Sequence, residues 1–340
     1  MTRLAILGAT GAVGSTLLRV LEQRSFPLDE LRLLASPRSA GEMRTYAGRE
    51  LTVQAVGPGS FDGIDIAIFS AGATRSREWA PQAIAAGAVV VDNSSAFRMQ
   101  DDVPLVVAGV NDHAARTHAG LIANPNCSTM QLAPVLAVLH RRSPLEQVTV
   151  ATYQSVSGTG QKAVDALRAE SAAVLAGEDA PPGVYAHRIA FNALPFAGAL
   201  AGDDDYTDEE LKLVHESRKI LELPALRVSA TCVRVPVLNS HSEAVWVRTR
   251  EPISPDEARA LLAAEDGITV VDDPEAHQYP MAIAADGSDE VLVGRIRRDL
   301  GDPNGLALFV VADNLRKGAA TNAVQIAELI LRDRLLRSAA

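Results

Sequence analysis

The stretch Arg3-Leu4-Ala5-Ile6-Leu7-Gly8-Ala9-Thr10-Gly11-Ala12-Val13-Gly14 decides the fold. A short apolar run of strand length enters three glycines spaced G-x-x-G-x-x-G. A helical run over 12–24 follows, with Val13, Leu17, Leu18 and Leu21 suited to one buried face. Strand, glycine turn and helix in that order open a dinucleotide-binding unit. The glycines let the backbone turn tightly and approach a pyrophosphate, and the new helix points its free N–H groups and positive end at that anion. Glycine-rich turns also serve as plain connectors, but this position between the first strand and a helix favours the cofactor. Gly8, Thr10, Gly11, Ala12, Val13 and Gly14 are therefore candidate cofactor-binding residues.

Further strand-like runs at 31–36, 64–71, 88–94 and 105–110 alternate with helical runs at 76–87 and 112–119. Alternation of this kind predicts a parallel, doubly wound sheet. From about 147 the pattern changes: strand-like runs at 147–153, 226–237, 243–249, 290–297 and 306–312 are separated by longer insertions, and 198–206 reads as an exposed loop. The expected fold class is α/β: a Rossmann-type dinucleotide-binding domain over 1–127, and a second α+β domain over 128–315. A long amphipathic helix at 316–337 is expected to pack back on the first domain.

Bulk properties narrow the function. Nearly half of the 340 residues are hydrophobic, enough for two cores, yet no apolar run has membrane-spanning length. Only Met1-Thr2-Arg3 precede the first strand, so a cytoplasmic enzyme without a leader is expected. A net charge of −10 argues against general nucleic-acid binding. Two cysteines make no disulfide framework, and no His, Cys, Asp and Glu cluster has metal-ligand spacing.

The end of the second strand-like run sharpens the cofactor. An NAD site usually carries an acid there for the ribose hydroxyls. Here Leu33-Leu34-Ala35-Ser36-Pro37-Arg38-Ser39 has none, and Arg38 with Ser39 can hold a 2′-phosphate, although an arginine there is also an ordinary solvated loop residue. The reading favours NADP(H).

Asn124-Pro125-Asn126-Cys127-Ser128-Thr129 precedes a helical run from about 128 to 141. A cysteine at a helix N-terminus meets the positive end of the dipole, which favours the reactive thiolate. The ordinary reading of a single cysteine is a small buried hydrophobe. Polar flanks, and a place in the chain where one pattern gives way to the other, weigh against that for Cys127. Cys232, mid-strand among Val228, Ala230 and Val233, fits it well.

Several motifs, in order from residue 3 to about 335, resemble aspartate-semialdehyde dehydrogenase. They are Gly8 to Gly14, Asp92-Asn93-Ser94-Ser95-Ala96-Phe97-Arg98, the segment around Cys127, and Gln154-Ser155-Val156-Ser157-Gly158. Later in the chain come Ile189-Ala190-Phe191-Asn192, Glu209-Glu210-Leu211-Lys212, Arg234-Val235-Pro236-Val237 with His241, and Asp313-Asn314-Leu315-Arg316-Lys317-Gly318-Ala319-Ala320.

The resemblance implies NADPH-dependent conversion of L-aspartyl-4-phosphate to L-aspartate-4-semialdehyde, a step toward lysine through diaminopimelate, methionine, threonine and isoleucine. Cys127 would form a covalent thioester. His241 would be the acid–base residue and Gln154 would orient the acyl group. Arg234 would grip the substrate α-carboxylate, Glu209 its amino group, and Arg98, Lys212 and Asn126 its phosphate. Ser157, Gly158 and Asn314 would touch the nicotinamide half of the cofactor. A homodimer is implied. From the residues alone, Glu209 and Lys212 equally read as the first turn of a helix capped by a Thr207/Glu210 capping box. Where the family pattern has Pro-Glu before Val110-Asn111 the chain has Ala108-Gly109, and Thr159 replaces a smaller residue. Two other readings stand beside this one: a related N-acylglutamyl-phosphate reductase, and a non-catalytic NADP-binding paralogue.

Overall fold

A computed structural model describes residues 2–336. Residues 2–126 and 319–336 form one compact unit, and Cys127–Gly318 form a second.

The first unit is built on the strands β1 (Arg3–Leu7), β2 (Glu30–Ala35), β5 (Gln54–Ala55), β6 (Ile66–Phe69), β7 (Val89–Asp92) and β8 (Leu121–Ala123). A hairpin of β3 (Met43–Tyr46) and β4 (Arg49–Thr52) stands apart from them. The six strands pair in parallel in the order β5-β2-β1-β6-β7-β8. β6 and β7 are buried along their whole length, as a parallel sheet covered on both faces requires. Helix α1 (Ala12–Gln23) buries Leu17, Leu18, Val20 and Leu21, and α2 (Ala73–Ala85) buries Trp79, Ala80 and Ala83.

The second unit holds α3 (Cys127–Arg142), β9 (Leu145–Gln154), α4 (Gln161–Leu175), α5 (Asp208–Ile220), β10 (Arg227–Arg234), β11 (His241–Thr249), α6 (Pro255–Ala263), β12 (Ile268–Val270), α7 (Ala282–Ala285), β13 (Val291–Arg298) and β14 (Gly305–Ala312). Its sheet runs β10-β9-β11-β14-β13-β12. The outer pairs β10·β9 and β12·β13 are parallel and the inner ones antiparallel. On one face Val148 and Val150, Ala230 and Cys232, and Val245 and Val247 join Leu132, Val135, Leu136 and Leu139 of α3 in a single apolar core.

Three expectations change. The run 105–110 is not a strand: Leu105 makes one isolated bridge to Ala123, and the sixth strand of the sheet is Leu121–Ala123. Its backbone is satisfied by amide side chains instead of a ladder. Asn111 accepts from Val107 N–H at 2.9 Å and donates to Leu105 O, and Asn322 accepts from Ala108 N–H and donates to Val106 O. Gly109, at φ 85°, turns the chain away, which only a glycine does without strain. The run 112–119 is a 3₁₀ turn, Asp112–Thr117. The C-terminal run begins with a π-helical turn, Arg316–Thr321, and becomes the α-helix α8 only at Asn322–Arg332; residue 337 lies outside the described residues. α8 buries Ala323, Val324, Ile326, Ala327 and Ile330 in the core of the first unit.

Asn322 also donates to Asn124 Oδ1 at 2.6 Å, so one side chain pins the chain just before Asn126. Replacing it by leucine takes a partner from three backbone or amide groups, two of them buried and the Ala108 N–H partly so. The expected cost is about 3 kcal/mol of folding free energy, read from urea unfolding of Asn322→Leu against wild type.

Candidate active site

The glycines of the first unit divide by what surrounds them. A Cβ on Gly8 would lie 2.4 Å from Ser70 O, and one on Gly14 would lie 2.2 Å from Gly8 O. Both are demanded by packing. A Cβ on Gly11 meets only Gly8 O at 3.4 Å, an ordinary contact. The protein itself does not require glycine there, but a pyrophosphate approaching the start of α1 does. Gly11 is the N-cap and has no capping side chain, so the first N–H groups of α1 have no such partner. Ala12 and Val13 are the first helical residues, and Thr10 Oγ1 is 3.4 Å from Ser39 Oγ. Arg38 is exposed. Ser39 also bonds the Glu42 carboxyl, which Ser39 and then Arg44 hold below its ordinary range. Arg44 is a second cation on this rim that the sequence reading did not single out.

Arg98 is buried in this unit. Its Nε donates to Asn124 O at 2.9 Å and its Nη2 to Asn93 O at 2.7 Å. Asn126 is also buried.

In the second unit Cys127 is the first residue of α3 and is partly exposed. Gly318 lies against it, with an added Cβ only 3.0 Å from Cys127 Cβ. Cys232 is fully buried, and burial raises its thiol pKa strongly, so it remains a core thiol.

The end of β9 gathers the other candidates. Gln154 Nε2 donates to Ser128 Oγ at 3.0 Å and to Glu209 Oε1 at 3.1 Å. Ser155 N–H donates to His241 Nδ1 at 3.0 Å, and Ser155 O accepts from Arg234 Nη1 at 2.7 Å. Ser155 Oγ donates to Asn314 Oδ1 at 3.0 Å. Asn314 Oδ1 also accepts from Ser240 N–H at 2.9 Å, and its Nδ2 is 2.9 Å from Ser157 Oγ. Asn314 is thus occupied in shaping the loop that carries Ser157 and Gly158. Ser240, just before His241, stands at φ 71° and is held there by this bond.

His241 is fully buried. Burial, and then the charge of Arg234, push its pKa well below the usual value of 6.5, so the ring is neutral at physiological pH. With Nδ1 accepting from a backbone N–H, the proton of the neutral ring sits on Nε2. That atom has no hydrogen-bond partner, nor do Arg234 Nε and Gln154 Oε1. Arg234 makes no ion pair among the described residues. Gly158 keeps this corner clear: a Cβ would stand 3.0 Å from His241 Nε2 and 3.1 Å from Arg234 Nη1.

Lys212 differs. It pairs with Asp208 at 2.6 Å and Glu209 at 3.2 Å. Burial opposes its charge, but the Glu209 and Asp208 carboxylates outweigh that and raise its pKa. Asp208 had no place in the sequence reading. The Thr207/Glu210 capping box is present, and Glu210 also accepts from Cys232 N–H at 3.0 Å, tying α5 to β10. Thr159 is bonded by Tyr185 OH at 2.9 Å, which accounts for a hydroxyl at that position.

Similarity to known proteins gives the family. Residues 3–118 match the family "Semialdehyde dehydrogenase, NAD binding domain", and residues 136–317 match "Semialdehyde dehydrogenase, dimerisation domain". The chain is therefore an oxidoreductase with a Rossmann-type domain for a nicotinamide dinucleotide. It is 51% identical to the aspartate-semialdehyde dehydrogenase of Aquifex aeolicus (strain VF5), covering 98% of this chain and 99% of that one. It is 52% identical to that of Legionella pneumophila, covering 98% and 96%. The crystal structure of aspartate semialdehyde dehydrogenase II complexed with ASA from Vibrio cholerae superposes with a TM-score of 0.95 at 46% identity, over 98% of this chain and 99% of that chain. The chain belongs to the aspartate-semialdehyde dehydrogenase family, whose members act in amino-acid biosynthesis. Among the described residues no helix is long and apolar enough to cross a membrane, and no cluster of three metal-binding side chains occurs.

Two outcomes follow from the corner at Gly158. Gly158→Ala should fold with little loss of stability, since nearby side chains can shift. It should lower kcat/KM about a hundredfold by displacing His241 and Arg234, as steady-state kinetics would read. The second concerns pH. Unfolding lets His241 take up a proton below about pH 6.5, which the buried ring refuses, so its contribution to stability is lost as pH falls below that value. Urea unfolding at about pH 5 and about pH 7 should show a smaller acid loss in His241→Gln than in wild type.

Proposed function

We propose that the chain catalyses NADPH-dependent reductive dephosphorylation of L-aspartyl-4-phosphate to L-aspartate-4-semialdehyde through a thioester on Cys127. The observation that carries this is the unpartnered buried trio around the end of β9: Arg234 Nε, His241 Nε2 and Gln154 Oε1. Buried polar atoms without partners are costly and call for a ligand. Two donors and one acceptor, with the Glu209 carboxylate beside Gln154, make a donor–acceptor set for an amino acid. Arg234 takes the α-carboxylate in a charged fork. Glu209 and Gln154 Oε1 take the ammonium. His241 Nε2–H takes the acyl oxygen.

The thiolate of Cys127 attacks the acyl carbon, and the C–O bond to phosphate breaks, leaving a thioester. A dihydronicotinamide held by the loop of Ser157, Gly158 and Asn314 would supply the hydride to that thioester. The tetrahedral oxygen gains negative charge, which the neutral His241 stabilises by hydrogen bonding. Collapse expels the Cys127 thiolate and releases the aldehyde. No proton has to reach the oxygen in this direction, so a histidine that stays neutral suits the work. Arg98, Asn126 and Lys212 are the phosphate ligands of this reading.

Gly8–Gly14 hold the pyrophosphate, and Arg38 and Ser39 a 2′-phosphate, which favours NADP over NAD. Ser157, Gly158 and Asn314 form the nicotinamide-side loop. The unit containing β1–β8 binds the cofactor, and the unit from Cys127 to Gly318 carries catalysis and a homodimer contact, as the name of its matching family suggests. The complex of the Vibrio cholerae enzyme with ASA supports the substrate. The cell compartment of this reading is the cytoplasm, and the products feed lysine, methionine, threonine and isoleucine synthesis.

Incubation with aspartyl phosphate, or with semialdehyde and NADP without phosphate, should give an acyl adduct on Cys127 by intact-protein and peptide mass spectrometry. Cys127→Ala should lose the adduct and all semialdehyde- and phosphate-dependent NADP reduction. Turnover of N-acetylglutamyl phosphate alone would overturn the substrate assigned here. Arg38→Ala should raise KM for NADPH about tenfold, the loss of one exposed phosphate contact, and leave KM for NADH unchanged.

A further inference from the structure

One row below the reacting side chains lies a second set of buried polar groups with no part in the reaction described above. On β9, β10 and β11 the inward positions Gln154, Arg234 and His241 are each followed, two residues along, by Thr152, Cys232 and Glu243. Thr152 is in register with both Cys232 and Glu243. On α3 Gln131 stands one turn after Cys127. All four are fully buried. Both carboxyl oxygens of Glu243 and both amide atoms of Gln131 lack a hydrogen bond.

We propose that Glu243 is a protonated, neutral acid paired with the Gln131 amide, and that this pair is a positioning device holding the start of α3, with Cys127, against the start of β11, with His241. The proposal rests on the reading of Cys127 and His241 given above.

The argument is one of charge and of donor count. A carboxylate buried this completely needs a cation or several donors. The groups facing Glu243 supply neither. β9 presents Thr152, whose hydroxyl is a single donor without a partner of its own, and Gln154, whose amide hydrogens are engaged. β10 presents Cys232, β14 places Val310 opposite, and α5 brings Glu209 and Glu210 near Cys232, which adds negative charge. His241 on the same strand is neutral, and Arg234 is anchored on Ser155 O. Gln131 on α3 remains: it lies on the helix that packs against β11, it is fully buried, and both its amide atoms, like both Glu243 oxygens, have no other hydrogen-bond partner. An ionised carboxylate could accept only from the amide N–H and would face the amide oxygen with like charge. A carboxylic acid donates O–H to Gln131 Oε1 and accepts from Gln131 Nε2, satisfying all four atoms. Burial pushes the Glu243 pKa well up, with Gln131 opposing, in the direction this pairing needs.

A neutral acid also leaves the field at Cys127 and His241 undisturbed, whereas a carboxylate two residues from His241 would favour the imidazolium. The amide of E243Q can form the same two-bond pair with Gln131, whereas E243A and Q131L cannot.

Three measurements on the full-length enzyme test this. Infrared difference spectra of wild type against E243Q at neutral pH should show a protonated-carboxyl C=O band present only in wild type. Folding stability should fall with pH above about 4.5 in wild type relative to E243Q, by up to tenfold in the folding equilibrium per pH unit, because unfolding releases a proton that the folded protein keeps. Kinetics should show E243Q with near wild-type kcat and an unchanged pH profile. E243A and Q131L should lose kcat about a hundredfold, with KM for both substrates within a few-fold. If E243A does not fold, Q131L carries the kinetic arm. Absence of the carboxyl band together with parallel pH–stability curves would overturn the protonated pair. An undiminished kcat in Q131L would overturn the positioning role. Activity surviving in Cys127→Ala would instead sink the site reading, while the infrared and stability results would stand or fall separately.

Discussion

The site of the second unit depends on a single dipeptide at the end of β9. Gln154 and Ser155 are both fully buried, and nearly every hydrogen-bonding group on them is engaged. The glutamine amide reaches α3 through Ser128 and α5 through Glu209. The serine N–H, carbonyl and hydroxyl reach His241, Arg234 and Asn314. A backbone N–H can only donate and a carbonyl can only accept, so this arrangement fixes two chemical facts. His241 is forced into the tautomer with Nε2–H outward, and Arg234 is tethered by one nitrogen with Nε left over. Displacing Ser155 would change the tautomer of His241 and the aim of both residues together.

The same strands explain why the site sits where it does. Along β9, β10 and β11 the inward face is apolar at Val148, Val150, Ala230, Val245 and Val247, and polar only over the last two rows. The apolar rows pack under α3 and drive the burial. The polar rows sit at the end of that face, where α3 and α5 begin. Stability and chemistry are therefore stacked along one sheet face, and in the buried polar rows each hydrogen bond made or left unmade weighs more than it would in water. Ser240, in the left-handed region immediately before His241, is tolerated because Asn314 satisfies its N–H.

Much of this was legible from the chain. The G-x-x-G-x-x-G turn after an apolar strand fixed the Rossmann-type half, because turn geometry and helix polarity are local properties. Cys127 at a helix start was readable for the same reason. Local pattern misled at 105–110, where an apolar run is satisfied by Asn111 and Asn322, the latter more than two hundred residues away. The partners of Asn314 were equally out of reach, since Ser155, Ser157 and Ser240 meet it only through the fold. Asp208 was passed over because an acid in a first helical turn looks like dipole compensation; its ion pair with Lys212 depends on side-chain placement.

The two basic residues of the second unit show how charge balance separates their tasks. Lys212 has two carboxylates within 3.2 Å and is fully compensated before any substrate arrives. In the reaction proposed above, a phosphate would compete with Asp208 and Glu209 for it, so its hold would be weak and a phosphate product could leave. Arg234 has a carbonyl partner and no ion pair among the described residues, and it is buried. Its desolvation is opposed by nothing as strong as a carboxylate, so the substrate carboxylate of the proposed reaction would gain the full benefit of the pair. On that proposal, tight binding at the carboxylate and loose binding at the phosphate would suit a reaction that keeps its acyl group on the enzyme while releasing its leaving group. A lysine at 234 would not serve as well, because its point charge lacks the fork that lets one nitrogen stay on Ser155 O while the others take the substrate.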